Sequence, residues 1–196
     1  EQTMMKEGLP YNIVGGTKFY DRKEVKDVIA YLTLVCNPND NIALKRIINF
    51  PVRGIGEKSI TIFKDLALQK DISLFESLKY CREIKLRGKQ QDSIENFYQS
   101  INKFYDLLDT LDCKELLRAL LEEFNIENYY KNNPAEQDRY DNIQELKLSI
   151  DRFAEKSSGN LKEFLQEISL YTDLDDWDDK KNSVTLMTIH AAKGLE

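Results

Sequence analysis

The sequence predicts a mainly helical fold bracketed by two short strands. Three observations set that class. Apolar side chains recur at three- and four-residue spacing through most of the chain, the pattern of amphipathic helices. Runs of β-branched and apolar residues that read as strands lie only near the ends, at Tyr11-Asn12-Ile13-Val14 and Ser183-Val184-Thr185-Leu186-Met187. Clusters of Gly, Pro, Asn and Ser punctuate the helical stretches at intervals short enough for a compact bundle.

In order, the opening reads as a helix end, followed by the strand at 11–14 and a Gly15-Gly16 turn. A helix over 22–35 follows, with Val25, Val28, Ile29, Leu32 and Val35 on one face. Asn37-Pro38-Asn39-Asp40 is a turn in which Asn39 or Asp40 can cap a helix over 42–49. Pro51 stops that helix, Gly54-Ile55-Gly56 turns the chain sharply, and a helix spans 57–69. Ser73 caps a short helix containing Leu74, Phe75 and Leu78. Gly88 opens a long amphipathic stretch to Leu111, another runs 113–130, and a third 135–156 after Asn132-Asn133-Pro134. The stripe from Phe97 to Tyr105 reads as core packing. After Ser157-Ser158-Gly159-Asn160, a helix over 161–170 leads into an acidic linker holding Asp173, Asp175, Asp176, Asp178 and Asp179 beside Trp177.

Composition narrows the function. The 196 residues are 41% hydrophobic and 32% charged, which fits one or two soluble domains. No apolar run approaches the length of a membrane span and no signal-peptide pattern opens the chain. Cys36, Cys81 and Cys113 are odd in number and widely spaced, so they read as reduced thiols of a cytoplasmic protein. With His190 the only histidine, a His/Cys metal centre is not expected. A net charge of −6 argues against coating nucleic acid by bulk electrostatics, leaving local phosphate contacts.

Two segments carry candidate chemistry. Pro51-Val52-Arg53-Gly54-Ile55-Gly56-Glu57-Lys58 places two glycines between helices, and the second helix begins where backbone N–H groups and its dipole favour anions. A phosphate could bind there without base readout, supported by Arg53 and Lys58. The Leu86-Arg87-Gly88-Lys89 turn, in a basic stretch with Lys79, Arg82 and Lys85, is a weaker second candidate. The other segment is Thr188-Ile189-His190-Ala191-Ala192-Lys193-Gly194-Leu195-Glu196. It leaves the end of a strand, where α/β sheets place ligand sites, and offers hydroxyl, imidazole, ammonium and backbone N–H groups to phosphates. A strand ending at a cut edge suggests that the chain is part of a larger protein. His190 has no nucleophile or carboxylate at a triad spacing.

These last nine residues resemble motif V of the UvrD/Rep/PcrA-type DNA helicases, a Thr-x-His-x-x-Lys-Gly-Leu-Glu segment. Tyr11 through Asp27, with Gly15-Gly16, Phe19-Tyr20, Arg22, Glu24, Val25 and Lys26, resembles a second block of that family. The Gly-Ile-Gly turn looks like the element of helix-hairpin-helix modules that the family carries in its helical insertion. The resemblance implies that residues 1–46 and 182–196 belong to a RecA-like α/β domain, called 2A, and 47–181 to its inserted helical subdomain, 2B.

By that resemblance Lys18, Arg22, Thr188, His190 and Lys193 lie near single-stranded DNA. Arg53, Gly54, Ile55, Gly56 and Lys58 contact duplex, while Gly194 and Glu196 lie toward nucleotide. Phe19 or Tyr20 could pack or stack; Arg22 could instead pair with Asp21 or Glu24. Glu24, Lys26 and Asp27 read as helix-surface and interdomain contacts. The parent enzyme would use ATP and Mg and bind single-stranded DNA and duplex junctions, in repair or replication, alongside its remaining helicase domains. This stretch lacks a Gly-x-x-x-x-Gly-Lys-Ser/Thr loop and an Asp-Glu segment for magnesium, so no catalytic residue, bound cofactor or independent ATPase activity is expected of it. The competing readings are a free-standing helix-hairpin-helix DNA-binding or adaptor module, and a subunit of a related helicase–nuclease.

Overall fold

The computed structural model describes residues 3, 4, 7, 9, 11–14, 18–156, 159–177 and 184–187, with side chains left out at 12–14 and 171–177. Among the described residues nine α-helices lie between two strands: β1 (Tyr11–Val14), α1 (Lys23–Cys36), α2 (Asn41–Ile47), α3 (Glu57–Lys70), α4 (Leu74–Ser77), α5 (Gly88–Asp106), α6 (Cys113–Glu123), α7 (Ile126–Lys131), α8 (Gln137–Lys156), α9 (Leu161–Trp177) and β2 (Val184–Met187). Three short 3-10 segments, Phe19–Asp21, Leu78–Glu83 and Pro134–Glu136, join them. The mainly helical class read from the sequence is what the chain adopts.

The strands pair with each other in parallel, Tyr11 opposite Val184 and Val14 opposite Met187. A parallel pair needs a crossover connection. Here the helical body is that crossover, so its two ends meet at one sheet remnant.

The central helix is α1. Val25, Val28, Tyr31, Leu32, Leu34 and Val35 are all buried, on more sides than the single face expected, while Ile29 is half-buried at the edge. Helices α2, α5, α6, α8 and α9 all pack on it. One hydrophobic cluster runs from Phe19 to Ile168 and continues without a break past residue 46.

Local chemistry explains the helix limits. Asp40 caps α2 by accepting from the Ile42 and Ala43 N–H groups, both at 2.9 Å. Ser73 accepts from Glu76 N at 3.0 Å and starts α4. Asp112 and Glu115 exchange hydrogen bonds at the start of α6 as a capping box.

Three expected elements differ. The single helix over 113–130 is two, because Asn125 adopts a left-handed conformation (φ 53°) between α6 and α7; asparagine tolerates that region better than most residues. The long stretch from Gly88 to Leu111 closes as a helix at Asp106. Helix α9 continues to Trp177, so Asp173, Asp175 and Asp176 extend a helix and are not linker; Asp178 and Asp179 lie outside the described residues. Phe97 and Phe104 are core, as read from the stripe, whereas Tyr105 is exposed.

Candidate nucleic-acid interface

The Gly54-Ile55-Gly56 turn joins α2 to α3, and two side chains hold its backbone, Asn49 from the connection itself and Gln90 from α5. Asn49 Oδ1 accepts from the backbone N–H of Arg53 at 2.9 Å and of Ile55 at 3.0 Å. Gln90, in the first turn of α5, donates from Nε2 to the Gly54 carbonyl, 36 residues away in sequence. Its Oε1 accepts from the Arg87 N–H at 3.2 Å. The Phe50–Pro51 peptide is cis.

Arg53 points inward. Its guanidinium donates to the carbonyls of Ile47 (2.9 Å), Ile48 (3.3 Å) and Phe50 (2.7 Å), and to the Tyr31 hydroxyl (2.5 Å). The Tyr31 hydroxyl in turn donates to the Phe50 carbonyl. The cation sits over aromatic rings, 4.9 Å from the centre of Phe97 and 5.4 Å from that of Phe124. The Arg53 side chain, expected to support a phosphate, thus already has protein acceptors in the carbonyls at the end of α2. A planar fork with five N–H groups suits that task better than an ammonium would. Burial pushes the Tyr31 hydroxyl up to about 12, against the opposing pull of Arg53. Ile55 is also inward, fully buried, so only its backbone belongs to the turn's surface.

The outer side is different. Gly54 has φ +73°, a left-handed conformation that only glycine adopts cheaply. Gly56 has φ −94°, and a Cβ built there would meet nothing within 4 Å. Space and backbone angle at 56 would admit a side chain, and glycine there is one of the residues a helix start favours. Gly56 is the N-cap of α3 with no side-chain cap; its carbonyl starts the helix by accepting from Ser59 and Ile60 N–H. Among the described residues, the N–H groups of Gly56, Glu57 and Lys58 have no hydrogen-bond acceptor. Gly56, Glu57 and Lys58 are all exposed. Bare N–H groups at a helix start, backed by one lysine and opposed by one glutamate, can take a phosphate but hold it weakly.

Gln90 brings the two candidate turns together, because Arg87-Gly88-Lys89 precedes it at the start of α5 and all three are exposed. Arg82 is neutralised: it donates to Glu95 at 2.6 Å and Asp92 at 2.7 Å, contacts that raise it above its ordinary value. The motif logic could not show Gln90 or Asn49, since neither a glutamine nor an asparagine marks a site until its backbone partner is known.

The other sequence-derived positions fall elsewhere. Lys18 is half-buried ahead of the Phe19–Asp21 segment. Phe19 and Tyr20 are buried, packing edge to face, and the Tyr20 hydroxyl lies 3.1 Å from Ser149 Oγ on α8. They pack and do not form an open stacking platform. Arg22 donates to Asn142 Oδ1 at 2.5 Å, and Asn142 Nδ2 donates to Glu24 at 2.5 Å, so Arg22 reaches Glu24 only through Asn142.

The surface reading of Glu24 and Asp27 is corrected: both are buried. Asp27 pairs with Arg46 at 2.8 Å. Burial raises its carboxyl above the usual range and Arg46 opposes the rise. Only Lys26 is exposed, paired with Asp21 at 2.6 Å. Thr188, His190, Lys193, Gly194 and Glu196 lie outside the described residues, as do Gly15 and Gly16. Among the described residues no group of three or more His, Cys, Asp or Glu could hold a metal, and no helix is long and apolar enough to cross a membrane.

Comparison with known proteins decides the family. The family profile described as UvrD-like helicase C-terminal domain matches residues 1–196. The chain belongs to the UvrD-like helicase C-terminal domain family. It is similar to the ATP-dependent DNA helicase PcrA of Bacillus subtilis (strain 168), 39% identical over 205 residues, covering 100% of this chain and 28% of that protein. The helicase of the same name from Staphylococcus aureus (strain Mu50) is 39% identical over 202 residues, covering 100% of this chain and 27% of its own length. That from Staphylococcus epidermidis is 38% identical over 202 residues, with the same coverage of 100% and 27%. The chain thus spans a little over a quarter of the length of these relatives. Within this UvrD-like domain, the α2–α3 turn is the described segment whose geometry suits a phosphate backbone.

Proposed function

We propose that this chain is the portion of an ATP-dependent DNA helicase that grips the duplex ahead of the strand being translocated, and that the α2–α3 turn makes the grip. The observation that carries this reading is the outer edge of the turn, where three helix-start N–H groups lie bare beside Lys58 and the glycine at 56 leaves the backbone open to close approach. Backbone-to-phosphate contacts position a duplex without reading its bases, which a helicase working on any sequence requires. The chain is acidic overall, so affinity comes from this local arrangement.

In this reading residues 47–181 form the inserted 2B subdomain, and 1–46 with 182–196 form part of the 2A domain. Parallel pairing of β1 with β2 supports an insertion into an α/β host over a free-standing helix-hairpin-helix module. Lys18, Arg22, Thr188, His190 and Lys193 are assigned to the single-strand path. Arg22 already gives one guanidinium N–H to Asn142. ATP and Mg would act in the parent enzyme. Of this chain only Gly194 and Glu196 are assigned toward nucleotide.

The test is fluorescence anisotropy of a labelled hairpin duplex at low salt. With one or two phosphates held, the slope of log affinity against log salt should be shallow, about −0.9 for each phosphate neutralised. Duplex should be favoured over single strand, with little sequence preference. Gly56→Val should abolish binding and Arg82→Ala should leave it nearly intact. Equal binding by Gly56→Val would move the contact elsewhere.

A further inference from the structure

Gln90 lies in a helix that sequence reasoning treated as separate from the turn, yet both ends of its amide are engaged there. Oε1 holds the Arg87 N–H at the start of α5, and Nε2 holds the Gly54 carbonyl. Gly54 is the one residue of the turn in a left-handed conformation, and its Cα faces Gln90 closely enough that a Cβ would touch the Gln90 side chain at 3.8 Å. Asn49 accepts from the Ile55 N–H on the opposite edge of that same trans peptide, and from the Arg53 N–H as well. With those two N–H groups and the intervening carbonyl fixed, the peptide planes that follow have little freedom. The N–H groups of Gly56, Glu57 and Lys58 take no part in these anchors.

We infer that Gln90 is a positioning residue for duplex binding: it clamps Gly54 so that the outer edge of the turn is set before DNA arrives. The inference rests on the duplex-contact reading given above and adds a residue that touches no phosphate itself. A preorganised loop binds more tightly because less ordering entropy is lost on binding. Losing the clamp should weaken affinity without changing how many phosphates are neutralised. That separates Gln90 from Lys58, whose loss should flatten the salt dependence.

The experiment pairs duplex anisotropy over a salt series with amide hydrogen exchange on the 196-residue chain. The variants are Gln90→Met, Gln90→Glu, Lys58→Ala and Gly56→Val. Gln90→Met should weaken duplex binding about 3- to 10-fold, the range expected from one net hydrogen bond, with the salt slope unchanged. Its Ile55 amide should exchange faster. Gln90→Glu keeps the acceptor for Arg87 N–H but cannot donate to Gly54, so it should show the same faster exchange at Ile55. Lys58→Ala should instead reduce the slope and leave Ile55 exchange alone.

Wild-type affinity and wild-type exchange in Gln90→Met, with Gly56→Val binding lost, would overturn the clamp and leave the turn as a self-supporting contact. If the wild-type chain binds no duplex, the functional reading fails by itself. Ile55 exchange in the two Gln90 variants then still decides whether Gln90 sets the loop.

Discussion

Arg53 and Lys58 stand five positions apart on the same turn and do opposite things. Arg53 lies on its inner side, over Phe97 and Phe124, with its donors on three carbonyls and a tyrosine hydroxyl. Lys58 stands on the outer side, exposed in the first turn of α3. The inner half of the turn is a small polar core that fixes the loop's shape. The outer half has no such neighbours and is left to meet a ligand. The difference teaches that a basic residue beside a glycine turn is not by itself a phosphate contact. What decides is whether the fold already supplies acceptors for it.

The sharpest way to break this comparison is to remove the inner cation. Arg53→Ala should destabilise the fold by about 2–4 kcal/mol, because the Ile47, Ile48 and Phe50 carbonyls lose a charged donor and space opens among the aromatic rings. Urea denaturation followed by circular dichroism measures it. Arg53→Lys should recover only part of the loss, since an ammonium cannot span the same acceptors. A loss below about 0.5 kcal/mol, the range of ordinary surface changes, would mean that the inward geometry contributes nothing.

The two glycines sharpen the same contrast. Gly54→Ala should cost about 1–2 kcal/mol, the penalty for forcing a Cβ into the left-handed region. Gly56→Ala should cost less, about 0.5–1 kcal/mol, the preference of a helix start for glycine over alanine, since its φ is ordinary and the space around it open. Thermal unfolding of both variants checks the pair. Equal losses would remove the distinction between a glycine the fold needs and one it does not.

A smaller effect comes from the half-buried Cys36 and buried Cys113 thiols and from the buried Tyr31 hydroxyl. Burial pushes Cys36 and Cys113 up to about 11 from 9.0, and Tyr31 up to about 12 from 10.0. Each raised value means that the folded chain favours the neutral form. The stability they contribute is complete below 9.0 for the thiols and 10.0 for the hydroxyl, and drains away as pH rises through about 11 and about 12. Going from about pH 8 to about pH 9.5 should therefore lower unfolding free energy by on the order of 1 kcal/mol, mostly through the two cysteines. Urea midpoints at the two pH values measure it, and Cys113→Ala should shrink the drop. An unchanged midpoint would contradict the burial of these groups.

Much of this was legible in the sequence, and the failures have physical causes. Helical periodicity gave α1, α3, α5, α6 and α8 to within a few residues of an end or a break, and Asp40 and Ser73 cap where short polar side chains precede apolar runs. The meeting of the end strands followed from reading the body as an insertion. The break at Asn125 was hidden because its left-handed conformation is imposed by packing on either side, where Phe124 and Ile126 are both buried. Glu24 and Asp27 looked like surface charges because a sequence does not show that Asn142, Arg139 and Arg46 wait for them on other helices. The turn was visible through its two glycines. Its inner anchors were not, since Gln90 and Tyr31 come from distant elements.

The central claim is that DNA meets the outer edge of the α2–α3 turn and not its inner side. A titration of the 15N-labelled chain with a hairpin duplex, followed by amide chemical shifts, tests it most directly. The N–H signals of Gly56, Glu57 and Lys58 should move most, with smaller shifts at Arg87 to Lys89. Those of Arg53 and Ile55, held by Asn49, should move little. Shifts centred on another face, with Gly56 to Lys58 unmoved at saturating duplex, would contradict it.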